Sequence, residues 1–139
     1  MDYGEKRCGF AVSDPSGIIA MPLEVVEVSS QEDVIQAAKR MVDEREASRF
    51  VIGLPLNMDG SAGPMAEKIQ ALIPILEETL GVPVHSWDER LSTSMVDRTL
   101  IEADVSRKKR KTVRDKLAAQ VILQGYLDSS SDYAIQDDY

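Results

Sequence analysis

The sequence predicts an α/β fold, a mixed sheet with helices packed on its faces. Three observations carry that reading. Strand-like apolar runs alternate with helical patterns along the chain. A turn cluster, Asp14-Pro15-Ser16-Gly17, separates the first two strand-like runs, as a hairpin would. A length of 139 residues suffices for one domain with a real core and is too short for two.

The elements follow in order. Cys8 to Ser13 and Met21 to Val28 read as the two hairpin strands. Ser30 caps a helix from about Gln31 to Glu46, whose Val34, Ile35, Ala38, Met41 and Val42 form one apolar stripe. Phe50 to Gly53 is a short buried strand that runs into a loop rich in turn formers, Leu54 to Gly63. A second helix spans about Pro64 to Leu80, with Gly81 at the position that favours glycine after a helix. Pro74 inside it predicts a kink or break. Val84 to Asp88 is the next strand, and Ser92 or Thr93 starts a helix through about Ala103. A last helix runs from about Thr112 to Leu127, and an acidic tail over 129–139 is expected to fray. Residues 1–128 thus form a single domain, without internal repeat or linker.

Composition narrows the class. Apolar residues make up 43% and charged residues 29%, an ordinary globular balance. No run approaches the roughly 20 apolar residues of a membrane span, and the polar, charged start, Asp2 to Arg7, does not read as a signal peptide. A single cysteine, Cys8, excludes an intramolecular disulfide and a cysteine-based zinc site. Together these features predict a cytoplasmic protein. The net charge of −8 argues against nucleic acid as a partner, but its distribution argues for it. Arg107, Lys108, Lys109, Arg110, Lys111, Arg114 and Lys116 stand within ten positions against one acid, Asp115. Such a run is often only solvated surface. Here it leads directly into a helix that carries an acid on its apolar face.

Three separated acids are the candidate chemistry. Asp2 precedes Gly4 ahead of the hairpin, where a carboxylate can be approached closely, although a solvated turn aspartate has the same signature. Asp88 and Glu89 end a strand, the place where open α/β sheets put ligands. Successive strand residues point to opposite faces, so one of the two is expected to face the site. Acids that complement a helix dipole are the plainer reading there. Asp115 shares a helical face with Ala118, Ala119, Ile122 and Tyr126, and a carboxylate on so small and apolar a face calls for a partner. Three such acids suit Mg²⁺, which takes a few carboxylates and completes its shell with water and phosphate. The basic segment beside Asp115 would hold a phosphate backbone. His85 reads as a packing residue, no nucleophile motif is present, and the Gly53 to Gly60 loop is expected to line the same cleft.

Six segments in order carry a resemblance: Asp2-Tyr3-Gly4-Glu5-Lys6-Arg7, Val12-Ser13-Asp14, the loop from Gly53 to Gly60, Trp87 to Thr93, Ser106 to Lys111, and Asp115-Lys116-Leu117-Ala118-Ala119-Gln120. With them the chain resembles the YqgF family, also called RuvX, of Holliday junction resolvases and pre-16S ribosomal RNA nucleases. The resemblance implies a ribonuclease H-like fold with a five-stranded mixed sheet flanked by helices. It implies metal-dependent hydrolysis of phosphodiester bonds, with Mg²⁺ or Mn²⁺ held by Asp2, Glu89 and Asp115; the resemblance favours Glu89 over Asp88, which strand periodicity leaves open. The role it implies is maturation of the 5′ end of 16S ribosomal RNA, with resolution of branched DNA as the alternative.

The family's apolar stretch before Asp-Tyr-Gly, its central strand, has no counterpart ahead of Met1. Upstream in-frame codons encoding several apolar residues are therefore expected. Without them, Asp2 is expected at a fraying end beside a free amino group. Two other classes compete. A non-catalytic RNA- or ribosome-binding module would need only the basic segment. An actin-like or sugar-kinase-like ATPase would clamp its nucleotide between two domains, and 139 residues make one.

Overall fold

The computed structural model describes residues 1–90 and 117–129. It contains β1 (Arg7–Ser13), β2 (Ala20–Glu27), α1 (Gln31–Arg45), β3 (Phe50–Leu54), α2 (Pro64–Leu80) and β4 (Val84–Asp88). A further helical segment occupies 117–129. The predicted helix after Ser92, the basic segment and the start of the last helix lie outside the described residues.

β1 and β2 pair antiparallel, and Asp14 closes the turn between them. Its Oδ1 accepts the backbone N–H groups of Ile18 at 2.7 Å and Ile19 at 2.9 Å, while the Ser16 hydroxyl donates to Oδ2. Those donors, the serine foremost, hold the Asp14 carboxyl at about 2. Gly17 supplies the positive φ, +72°, that this turn requires. In α1 the Ser30 side chain accepts from the Asp33 amide, and the predicted stripe is buried. Glu46 ends the helix in the left-handed conformation.

β3 and β4 pair parallel, with α2 as their crossover. Of the kink or break expected at Pro74, the break does not occur: α2 runs continuously from Pro64 to Leu80. Pro74 stands on the exposed face, where water can satisfy the carbonyl that loses its helical donor. Ile69, Leu72 and Leu76 turn the opposite face onto the fully buried Ile52 of β3. No helix among the described residues is long and apolar enough to cross a membrane.

Among the described residues the strands form two two-stranded ladders, β1–β2 and β3–β4, rather than one five-stranded sheet. Met1 and Asp2 lie between them and bond to both. The Met1 amino group donates to the Val51 carbonyl at 2.6 Å, and the Gly53 amide to the Met1 carbonyl at 3.1 Å. On the other side Asp2 and Gly9 exchange backbone bonds of 2.8 and 3.0 Å. Two residues are too few to constitute a strand, which typically needs about three or more. They nevertheless do a strand's work of joining the ladders. Asp2 is therefore not at a fraying end, because Met1 is only 5% exposed and bonded on one edge. Burial pushes the Met1 amino group down to about 6, outweighing the nearby Asp2 charge.

The 117–129 helix is pinned to the hairpin by two glutamines one turn apart. Gln124 accepts from the Ala20 amide at 2.9 Å and donates to the Ile18 carbonyl at 2.8 Å, and Gln120 donates to the Ala20 carbonyl at 3.1 Å. Ala20 is 1% exposed, so its amide has no access to water if Gln124 is shortened. Gln124→Ala is expected to lower unfolding free energy by about 1–3 kcal/mol, measurable by urea denaturation. An unchanged midpoint would show the helix to be held by apolar packing alone.

Candidate active site

Asp2 owes its place to the turn that follows it. The chain leaves Asp2, reverses through Gly4 to Lys6 and returns as β1, so that Asp2 faces Gly9. A Cβ on Gly4 would stand 2.2 Å from the Arg7 carbonyl oxygen, a backbone atom that cannot step aside. This glycine serves the reversal of the chain. Lys68 of α2 steadies the same turn, with its ammonium 5.8 Å from the Tyr3 ring centre and 3.4 Å from Glu5.

Glu89 arrives from the other ladder. Its amide donates to the Leu54 carbonyl at 3.1 Å, so the pairing of β3 with β4 persists one residue beyond β4. Strand alternation then separates the two neighbouring acids. Asp88 turns to Arg90, which donates through Nε at 2.8 Å and through its own backbone amide at 3.0 Å. Those bonds hold the Asp88 carboxyl below its usual value. Glu89 turns the other way and is hydrogen-bonded to Asp2. Burial first, then the Asp2 charge and that hydrogen bond, push Glu89 up to about 8.

Gly53, directly across the ladder from Trp87, makes this meeting possible. A Cβ there would lie 2.7 Å from Glu89 Oε1 and 2.7 Å from Ile122 Cδ1. The missing side chain leaves the space in which the Glu89 carboxylate sits, beneath the 117–129 helix. That helix covers the same side of β4 at two further points. His85 stacks on Tyr126 with ring centres 5.6 Å apart, in keeping with a packing role, and Trp87 lies against Gly125. Sequence reading passed over Gly53 as a loop boundary. Its signal was available, since a glycine in a buried strand marks a close approach of another group.

The structure thus brings together Asp2 and Glu89 of the predicted acids and places Asp88 on Arg90. Asp115 and the basic residues Arg107, Lys108, Lys109, Arg110, Lys111, Arg114 and Lys116 lie outside the described residues. Among the described residues no group of three or more potential ligands assembles. The pair itself fits a hard divalent cation. Two carboxyl groups in contact and partly buried cannot both ionise cheaply, and either a shared proton or a cation between them relieves the repulsion. The donors are oxygens, as Mg²⁺ or Mn²⁺ prefers. Cys8 is turned away, its thiol on the Gly4 carbonyl and pushed up by burial.

The loop after β3 reaches the same strand end. Leu54 accepts from both Glu89 and Leu56, and Arg90 Nη1 donates to the Met58 carbonyl at 3.4 Å. Residues 57–61 form a tight turn in which Asp59 accepts from the amide and hydroxyl of Ser61.

The chain is 50% identical over 128 residues to a protein of Halothermothrix orenii named "Putative pre-16S rRNA nuclease", covering 92% of this chain and 91% of the relative. It is 48% identical to a protein of the same name from Listeria innocua, covering 94% and 96%. Another from Desulforamulus reducens is 45% identical, again covering 94% and 96%. The model of the RuvX family, described as Holliday junction resolvase, matches residues 1–129. This chain belongs to the RuvX family.

Proposed function

We propose that the chain is a metal-dependent nuclease that hydrolyses phosphodiester bonds in structured nucleic acid, acting in the cytoplasm on the 5′ end of pre-16S ribosomal RNA. The observation that carries this reading is the contact between Asp2 and Glu89, two carboxyl groups from different ladders pressed together at the strand ends. A fold has no structural need for such a pair, because two apolar side chains would fill the space at lower cost. Asp115 completes the set in this reading. It stands four residues before Ala119 and seven before Ile122, the two buried residues of the 117–129 helix. The ribonuclease H-like arrangement, with a five-stranded sheet whose two ladders Met1 and Asp2 join, belongs to the same proposal.

Bound between Asp2, Glu89 and Asp115, Mg²⁺ or Mn²⁺ would acidify the attacking water and stabilise charge on the phosphodiester. The chain's own part is to hold two acids from two ladders at one point and to keep Asp88 out of it. The substrate class follows from the relatives, whose names specify pre-16S rRNA. The description of the family favours the second reading, branched DNA.

The test sets a precursor 16S RNA fragment beside a four-way DNA junction, with and without Mg²⁺ or Mn²⁺, and with Asp115→Asn as control. Metal-dependent cutting of the RNA, lost in the variant, supports the proposal. Cutting of the junction alone selects the resolvase. Salt-sensitive binding without cutting replaces both with a binding module. Binding itself is expected to weaken steeply with salt. Neutralising about five phosphates through Lys108, Lys109, Arg110, Lys111 and their neighbours predicts a slope of log affinity against log salt near roughly −4. A flat salt profile in a filter-binding or anisotropy titration would remove the basic segment from the interface.

A further inference from the structure

We infer that Arg90 is a positioning residue of this site: its guanidinium ties the strand end that carries Glu89 to the turn over Asn57 to Ser61, and diverts the Asp88 carboxylate from Asp2. The inference rests on the nuclease reading above and extends it to the loop motif and to the arginine that follows Glu89.

The geometry is that of a fork used on two sides. On one side Nε and Nη2 meet Asp88 Oδ2 at 2.8 and 2.6 Å, while the Arg90 amide closes on Oδ1 at 3.0 Å. These bonds fix the direction of the Asp88 side chain at the point where the neighbouring residue must face Asp2. On the other side Nη1 reaches the Met58 carbonyl at 3.4 Å. Gly60 lies alongside, where a Cβ would be in ordinary contact with the same nitrogen at 3.6 Å. Asp59 adds its charge to the environment of the guanidinium.

The turn that Arg90 holds is rigid within itself. The Asn57 amide donates to the Ser61 carbonyl at 2.9 Å, the Gly60 amide to the Asn57 carbonyl at 2.8 Å, and the Asn57 side-chain amide to the Ser61 hydroxyl at 3.0 Å. A rigid turn linked to β4 through a guanidinium moves as a unit when that link is cut. It carries Met58, 90% exposed, beside the carbonyl that Arg90 meets.

An exposed ion pair that only decorated the surface would have little effect on anything. The Asp88 and Arg90 side chains are 37% and 34% exposed, so their removal is expected to leave the melting temperature within about 3 °C of the parent. The effect falls on function instead. In the full chain, Arg90→Ala is expected to lower kcat/KM for the substrate roughly ten- to hundredfold. Amide exchange across residues 56–61 should quicken about tenfold. Arg90→Lys, with a single charged nitrogen and no fork, is expected to behave like Arg90→Ala. Added ethylguanidinium should recover part of the rate in Arg90→Ala and none in Glu89→Gln. Parental cleavage and parental exchange in Arg90→Ala, alongside an inactive Glu89→Gln, would overturn the positioning role and leave the nuclease intact. An active Glu89→Gln would instead overturn the nuclease reading on which the role rests.

Discussion

Glu89→Gln is expected to reduce metal-dependent cutting roughly a thousandfold, equivalent to about 4 kcal/mol of transition-state stabilisation, without unfolding the protein. The amide keeps the size and one hydrogen bond of the carboxyl group but offers no negative charge to a cation. Asp88→Asn is expected to cost about threefold or less, because Asp88 is engaged by Arg90 and an amide oxygen still accepts from it. Equal losses in the two variants would show that strand alternation does not separate the neighbouring acids.

The same variant isolates a pH effect. In the metal-free protein Glu89 sits at about 8 against an ordinary 4.5, so the folded state holds a proton that the unfolded state releases. Its contribution is full below about 4.5 and is lost as pH rises toward about 8. Other groups titrate over the same range, so the informative quantity is the difference between parent and Glu89→Gln. Parental stability should fall relative to the variant across pH 4.5–8 in denaturant titrations. A parallel pair of curves would mean that the Glu89 carboxyl is not held protonated beside Asp2.

Gly53→Ala should separate stability from activity in the opposite sense to a core mutation. The added methyl meets the far ends of two side chains, Glu89 Oε1 and Ile122 Cδ1, each at 2.7 Å. Side-chain ends can move, so the stability cost is expected to be about 1–3 kcal/mol. The atom that must move, however, is the carboxylate oxygen placed against Asp2. A displacement of about 1 Å there can cost on the order of a hundredfold in rate. The expected outcome is a folded protein with cutting reduced at least tenfold, read from kcat beside a thermal melt. Full activity would show that the Glu89 carboxylate has another productive position.

Both large effects depend on distances that strand and helix patterns do not contain. Local chemistry was legible: Ser30 as the cap of α1, Gly81 after α2, Asp14 at the hairpin turn and Val84 to Asp88 as a strand all follow from short-range propensity and hydrogen bonding. So was the narrowing to one of Asp88 and Glu89, because alternation is a property of any strand. Which of the two meets Asp2 was not legible, since that depends on the parallel register of β4 against β3 and on what lies across it. Whether Pro74 would interrupt α2 was not legible, because its cost depends on whether the freed carbonyl faces protein or water, and an exposed face answers that. The importance of Gly53 and Arg90 was hidden for a related reason. A glycine reveals a close approach only when the approaching group is known, and an arginine reveals its role only when both ends of its fork are seen. The sequence by itself determined the described elements, their order and the family, and it named the candidate acids. Tertiary structure alone decided which acids meet and what holds them there, because Asp2 and Glu89 are brought together by backbone bonds from Met1 to β3 and from Asp2 to β1.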